Sequence, residues 1–277
     1  MIIDEASQAS ITLALLAMVK GKKWVIVGDH KQLLPIFKTV KSLEERIALS
    51  AFTSLKNKYE HRHLWLQIHY RSHPKIIGFS AKYVYENKIK PAKVCSTRVL
   101  RLNCEPRLKF LIPQKPVVFV HVKGKSKKVN KSKQNVKEVE VIYEIVKELI
   151  NCGVSASSIG VITPYRVQRK IILNKLSEIK SEKRIEVDTV DAFQGREKNV
   201  IIYSITDTDM SDFSTDPHRL NVAFTRARSK LIVVGNADDV RNKAGGTLLY
   251  DFLKYCYREE SVYDWEQKTW LSGWLLI

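Results

Sequence analysis

Val117-Val118-Phe119-Val120-His121-Val122, the segment 136–150 and Gly160-Val161-Ile162-Thr163 follow one another along the chain and set its architecture. The first and third are short apolar runs bounded by turn residues, the pattern of strands buried on both faces. In the middle segment Val139, Ile142, Ile145, Val146 and Leu149 recur three or four residues apart and form one apolar helical stripe, which Asn151-Cys152-Gly153 stops. Strand, helix, strand is the crossover unit of a parallel sheet. The alternation continues on either side. Further strands are expected at 1–4, 24–28, 64–68, 185–189, 199–205 and 231–235, and helices at 10–20, 42–58, 75–87, 166–179, 217–228 and 247–259. The fold class is therefore α/β, a parallel sheet with flanking helices. Residues 1–60, with only two strands, read as the C-terminal part of a first domain, because a buried parallel strand needs neighbours on both sides. Residues 61–277 read as a complete second domain with a C-terminal tail.

The 277 residues, 44% of them hydrophobic with 11 Gly and 8 Pro, exclude disordered and collagenous chains. The longest apolar stretch, 11–19, is too short to span a bilayer and follows no cleavable signal, so an intracellular location, cytoplasmic or nucleoid/nuclear, is expected with no membrane partner. Cys95, Cys104, Cys152 and Cys256 form no Cys-x-x-Cys pair; reduced thiols are expected, with no disulfide framework or zinc site. Lys and Arg outnumber Asp and Glu by 47 to 29, a net charge of +18 that favours a polyanionic partner. Much of the excess lies in 87–137, where fifteen Lys/Arg accompany one acid, Glu105. Seven lysines fall within 123–137, either a solvated loop or a phosphate-contacting arm. The tail 263–277 holds three of the five tryptophans and either folds back on the chain's own helices or docks on a partner.

Asp4 and Glu5 end an apolar strand, where open α/β sheets build ligand sites. In a nucleotide hydrolase the first carboxylate holds Mg²⁺ and the second orients the attacking water. Alone, such pairs mostly cap helices or sit on solvated loops. A second strand ends in Gly28-Asp29-His30-Lys31-Gln32-Leu33-Leu34-Pro35, and Gln32 there can bond a terminal phosphate oxygen.

With Asp4-Glu5-Ala6-Ser7-Gln8, that block resembles motifs II and III of superfamily-1 helicases of the nonsense-mediated-decay and senataxin type. The resemblance continues in the family's order. His69-Tyr70-Arg71-Ser72-His73-Pro74 is similar to its Gln-Tyr-Arg-Met-His-Pro block, with His69 for Gln and Ser72 for Met as departures. Thr163-Pro164-Tyr165-Arg166-Val167-Gln168 resembles the Thr-Pro-Tyr-x-x-Gln block, 190–198 resembles motif V, and 219–228 resembles motif VI. The resemblance implies a RecA-like sheet of the P-loop NTPase type, ATP and Mg²⁺ as cofactors, and single-stranded DNA or RNA as partner. It makes Asp4, Glu5, Gln32, Arg71 and Arg226 the catalytic set, with Asp4 on the metal and both arginines on the terminal phosphate. It places Tyr70 on the adenine, Gly195 and Glu197 near the γ-phosphate and ribose, and Thr163, Thr189 and Val190 on the nucleic-acid backbone.

A P-loop, Gly-x-x-x-x-Gly-Lys-[Ser/Thr], is missing from the sequence. Gly124-Lys125-Ser126 is a decoy, since Phe119 stands where the first glycine must be and lysines follow where a helix is needed. The family's P-loop precedes motif II, so the chain reads as the C-terminal half of an ATP-dependent helicase, inactive alone: a C-terminal fragment, a truncated reading frame, or one half of a split enzyme served by a separate P-loop-containing half. The alternative is a non-catalytic nucleic-acid-binding module derived from one. A carboxylate metal nuclease finds no further acidic cluster to support it.

Overall fold

The computed structural model describes residues 1–37, 39–40, 42–181 and 183–273. These form two units, Met1–Leu66 and Gln67–Ile277, each with its own internal contacts. In the first, β1 (Ile2–Ile3) and β2 (Val25–Ile26) pair in parallel, accompanied by α1 (Ile11–Met18), α2 (Leu43–Leu49) and α3 (Ala51–Lys58). The strands expected at 1–4 and 24–28 shrink to two residues each, because among the described residues each has only the other as a ladder partner. The single helix expected over 42–58 is two. Ser50 adopts an extended conformation (φ −70°, ψ 126°), its hydroxyl donates to Ser7 O at 2.9 Å, and it caps α3. A serine that offers the backbone another partner breaks a helix in this way.

The second unit begins with β3 (Ile68–His69), α4 (Pro74–Tyr83) and β4 (Lys90–Pro91), and among the described residues β3 pairs only with β4. The strand expected at 64–68 is thus displaced toward the C-terminus and stands outside the main sheet; Leu64 and Leu66 are exposed. There follow β5 (Val117–His121), β6 (Lys127–Val129), β7 (Ser132–Gln134), α5 (Val136–Asn151), β8 (Ile159–Thr163), α6 (Arg166–Leu176), β9 (Glu186–Thr189) and β10 (Lys198–Ser204). The unit ends with α7 (Asp212–Thr215), α8 (Pro217–Phe224), β11 (Ala227–Gly235), α9 (Ala237–Lys243), α10 (Leu248–Arg258), β12 (Val262–Asp264) and β13 (Thr269–Leu271).

Seven of these strands make one sheet in the order β13-β12-β5-β11-β10-β8-β9, parallel throughout except for β13. Period two decides which side chains meet which helices. Val118, Val120, Val161, Val200, Ile202, Ile232 and Val234 share one cluster with Val139, Ile142, Ile145, Val146 and Leu149 of α5 and Ile172 of α6. On the opposite face, Tyr203 meets Phe224 of α8, which packs against Phe79 of α4 and Phe252 of α10. This is the expected α/β, RecA-like arrangement, with helices on both faces. Lys230, fully buried in β11, donates to the carbonyls of Phe110, Ile112 and Lys115 and so fixes the segment before β5. Burial, then the nearby Lys115 charge, pull its pKa well below the usual lysine value.

Three further expectations are corrected. Cys104 and Cys152 are disulfide-bonded, not reduced, while Cys95 and Cys256 are free and buried. The return of 98–116 onto the end of α5 brings the pair together: Asn103 N donates to Cys152 O at 2.8 Å, and the two Cα atoms lie 5.2 Å apart. A separation of 48 residues with no paired spacing conceals such a contact in the sequence. The lysine-rich segment is not the plain loop expected as one alternative: it contains the β6–β7 hairpin, which leaves the phosphate-contacting arm open. The tail folds back on the sheet edge as β12 and β13, not on helices, with Tyr263 against Phe110 and Trp270. Trp274 and residues 275–277 lie outside the described residues.

Candidate functional site

In the first unit, Asp4 and Glu5 follow β1 directly, and both are exposed. Asp4 Oδ1 accepts from Glu5 N at 2.8 Å, and Glu5 has a left-handed backbone (φ 52°), which is uncommon outside glycine. Gln8 Nε2 donates to Glu5 Oε2 at 3.3 Å. The turn after β2 is tied to this segment: Asp29 N donates to Ser7 Oγ at 2.6 Å, and Ala6 N to Val27 O at 2.9 Å. Gly28 permits the approach, since a Cβ there would lie 2.8 Å from both Phe52 and Ser7 Oγ. Asp29 then orients Gln32, whose Nε2 donates to Oδ2 at 2.8 Å. One ladder and one hydroxyl therefore hold Asp4, Glu5 and Gln32 at the same end of the β1–β2 pair. Asp4, an exposed hard-oxygen donor, suits Mg²⁺, which usually keeps several waters and takes one or two carboxylates.

In the second unit, Tyr70 and Arg71 follow β3. The Tyr70 ring is 64% exposed, free to stack on a flat ligand. Arg71 Nε donates to Glu197 Oε2 at 2.5 Å, and its Nη1 to Thr225 O at 3.3 Å. Arg228 Nη1 lies 3.4 Å from Glu197 Oε1. Partial burial works against ionisation of Glu197, but the Arg71 hydrogen bond and the charges of Arg71, Arg228 and Arg98 outweigh it and hold its pKa below the ordinary value. Arg226 is buried, with Nε donating to Val222 O at 3.1 Å. Gly195, at φ 78°, has no atom within 4 Å of where a Cβ would stand, which leaves open space two residues from Glu197. The expected Arg71, Gly195, Glu197 and Arg226 are thus gathered in one region. Arg98 and Arg228 were not singled out, although Arg228 lies only two residues beyond Arg226.

His69 and Ser72, the two departures from the family block, are partners: Ser72 N donates to His69 Nε2 at 2.8 Å. Burial, then the Arg71 charge, bring the His69 pKa down to about 4, so the ring is a neutral acceptor near pH 7. The pair shapes the turn that presents Tyr70 and Arg71.

The residues expected on nucleic acid are less accessible. Thr163 and Val190 are fully buried, Thr163 Oγ1 lies 3.0 Å from Thr206 Oγ1, and Thr189 is half-buried. Beside Thr163 runs a polar network absent from the sequence-based site. Buried Glu138 accepts from Ser204 Oγ at 2.6 Å and from Thr206 N at 2.9 Å, holding Thr206 in a left-handed conformation (φ 67°). Asp207 accepts from Lys133 Nζ and from the Tyr165, Ser211 and Ser214 hydroxyls. The decoy Gly124-Lys125-Ser126 leads into the β6 strand rather than a helix, and a Cβ on Gly124 would collide with Asn135.

The family described as AAA domain matches residues 47–238, and a second family of the same description matches residues 1–42. An uncharacterized ATP-dependent helicase of Methanocaldococcus jannaschii is 39% identical over 242 residues, covering 85% of this chain and 35% of that protein. The chain belongs to the superfamily-1 helicases. This helicase region is also 33% identical over 261 residues to DNA replication ATP-dependent helicase/nuclease DNA2 of Xenopus laevis, covering 84% of the chain and 24% of that protein. It is 33% identical over 246 residues to the Regulator of nonsense transcripts 1 homolog of Neurospora crassa, covering 85% of the chain and 22% of that protein. The chain spans about a third or less of the length of these curated relatives. The solved PRRSV helicase aligns with a TM-score of 0.44 at 17% identity, covering 89% of this chain and 36% of that one.

Proposed function

We propose that this region of an ATP-dependent helicase supplies a metal-binding and a water-orienting carboxylate in its first unit and phosphate-contacting arginines in its second, and couples ATP hydrolysis to movement on single-stranded DNA or RNA. The arginine cluster carries the reading: Arg71 and Arg228 converge on Glu197, with Arg226 in the same segment and open space beside Gly195. Guanidinium groups held ready by a carboxylate can turn to a terminal phosphate and stabilise the charge that spreads over its oxygens during transfer. Tyr70 stacks on the adenine, and Glu197 and the Gly195 backbone approach the ribose and γ-phosphate. Asp4 would hold Mg²⁺, which would supply charge to neutralise the phosphates; Glu5 orients the water and Gln32 bonds the terminal phosphate. Thr189, with the backbone beside Thr163 and Val190, contacts the strand.

The sequence contains no P-loop, so a segment or chain that bears one is required, and the 277-residue chain alone should release phosphate from ATP at a negligible rate. Robust Mg²⁺-dependent turnover by the purified chain, abolished by Glu5→Gln, would overturn that requirement. The same absence favours a second reading, a non-catalytic nucleic-acid-binding module. Nucleotide, tested with a P-loop-bearing segment present, separates the two. If ATP with Mg²⁺ shifts single-strand affinity and Arg71→Ala removes the shift, the motor reading stands; if nucleotide changes nothing, the module reading replaces it.

A further inference from the structure

We propose that the β6–β7 hairpin and Phe213 form one track for a single strand of nucleic acid, with lysines along its phosphates and the Phe213 ring against a base. The proposal rests on the nucleic-acid reading above and names the surface that performs it. Lys123, Lys125, Lys127, Lys128 and Lys131 are all exposed on or beside the hairpin, and among the described residues no carboxylate forms an ion pair with any of them. Lys128 faces Lys133 directly across the hairpin, a like-charge pair that opposes folding. Among the described residues of the two hairpin strands, Lys133 is the lysine that carboxylates neutralise, by Asp207 and by Asp209 at 2.7 Å. The fold thus spends its acids on anchoring the base of the hairpin and leaves its outer charges to solvent or to a polyanion.

The anchoring is extensive. Val167 N donates to Ser132 Oγ at 3.2 Å, Ser126 Oγ lies 2.9 Å from Thr208 Oγ1, and Asn135 N donates to Gln168 Oε1 at 2.8 Å. These bonds fix the hairpin to the turn after β10 and to α6, immediately beyond Thr163. The carboxylate that holds Lys133 also holds α7: Asp207 Oδ2 accepts from Ser211 Oγ and from Ser214 Oγ, which bracket Phe213. Phe213 is 42% exposed, with the Tyr165 ring centroid at 5.4 Å and the Arg219 guanidinium 4.5 Å from its own centroid. A supported aromatic ring with open area beside unpaired lysines is the combination that single-strand binders use, stacking for the bases and charge for the backbone. An acidic peptide would satisfy the lysines but would have no base for the ring.

The test measures affinity of the 277-residue chain for a labelled single-stranded oligonucleotide and for an abasic strand of the same length, across a salt series. Replacing Lys125, Lys127, Lys128 and Lys131 with Ser should flatten the slope of log affinity against log salt by up to about 3, near 0.7 for each lost phosphate contact. Phe213→Leu keeps an apolar contact to Tyr165 but removes the π face. It should weaken the normal strand roughly fivefold to hundredfold, leave the salt slope unchanged and leave the abasic strand unaffected. An unchanged slope in the lysine variant, equal weakening on the abasic strand, or polyglutamate bound as tightly as the oligonucleotide would overturn the track while the wild-type chain still binds strands. Failure of the wild-type chain to bind any strand would overturn the nucleic-acid reading itself.

Discussion

Glu138 Oε1 and Oε2 both accept from Thr206 N, Oε1 also from Asn135 Nδ2, and Oε2 also from Ser204 Oγ, all below the surface. Burial nevertheless dominates and pushes the Glu138 pKa up to about 8. A protonated carboxyl can donate to Ser204 Oγ and extend the chain of hydroxyls through Thr206 to Thr163. The folded protein then binds a proton that the unfolded chain releases near 4.5, so the contribution of Glu138 is fully present below that pH and is lost as pH rises toward 8. Glu138→Gln should keep the fold and remove this dependence. The difference between wild type and variant in denaturant stability should change by about 1.4 kcal/mol per pH unit within that window. Parallel curves for the two proteins would show that Glu138 is ionised in the folded state. Residues of this kind were not legible in the sequence. Arg71, Glu197 and Arg226 stood out because each sits in a block of distinctive neighbours, whereas Glu138 and Asp207 owe their roles to partners as far away in sequence as Thr206 and Lys133.

At the scale of elements, strands inside the large sheet were legible because Val, Ile and Phe fill successive positions there and both faces are covered. β5, β8, β10 and β11 were all expected on that ground, β11 starting four residues earlier than its apolar core, and the edge strand β9, in which only Val187 is buried, was expected as well. Elements fixed by pairing rather than by burial were not. The β6–β7 hairpin is made of Lys, Ser and Gln around Val129, and its ladder depends on anchors such as Ser132 and Lys133. The tail strands carry aromatic residues whose destination no periodicity reveals. Once in place, β12 and β13 extend the sheet beyond β5, and Trp265 and Trp270 pack against its core. Deleting 263–277 should therefore uncover β5 and lower the melting temperature by several degrees, as the loss of a few buried aromatic contacts implies. Trp270→Ser should shift the fluorescence of the remaining indoles little but lose a blue-shifted component. A deletion that improves solubility at unchanged melting temperature would instead mark the tail as a surface for a partner.

For the whole molecule, the two units differ in how far they satisfy their own apolar surface. The second unit buries the central strands of its large sheet between two layers of helices. The first exposes Ile2, Leu13, Leu16, Val19 and Val25, and its two-stranded ladder falls short of the three or more strands that independent stability usually needs. Residues 67–277 alone should then unfold cooperatively with a melting temperature within a few degrees of the whole chain, while isolated 1–66 should show weak helical signal and a tendency to associate. Circular dichroism melts of the three polypeptides decide the matter. A fall of more than roughly ten degrees on removing 1–66, equivalent to about 2.5–5 kcal/mol for a chain of this size, would show that the second unit depends on the first for stability. A sharp independent transition in 1–66 would show that its exposed apolar residues do not prevent it from folding as a unit of its own.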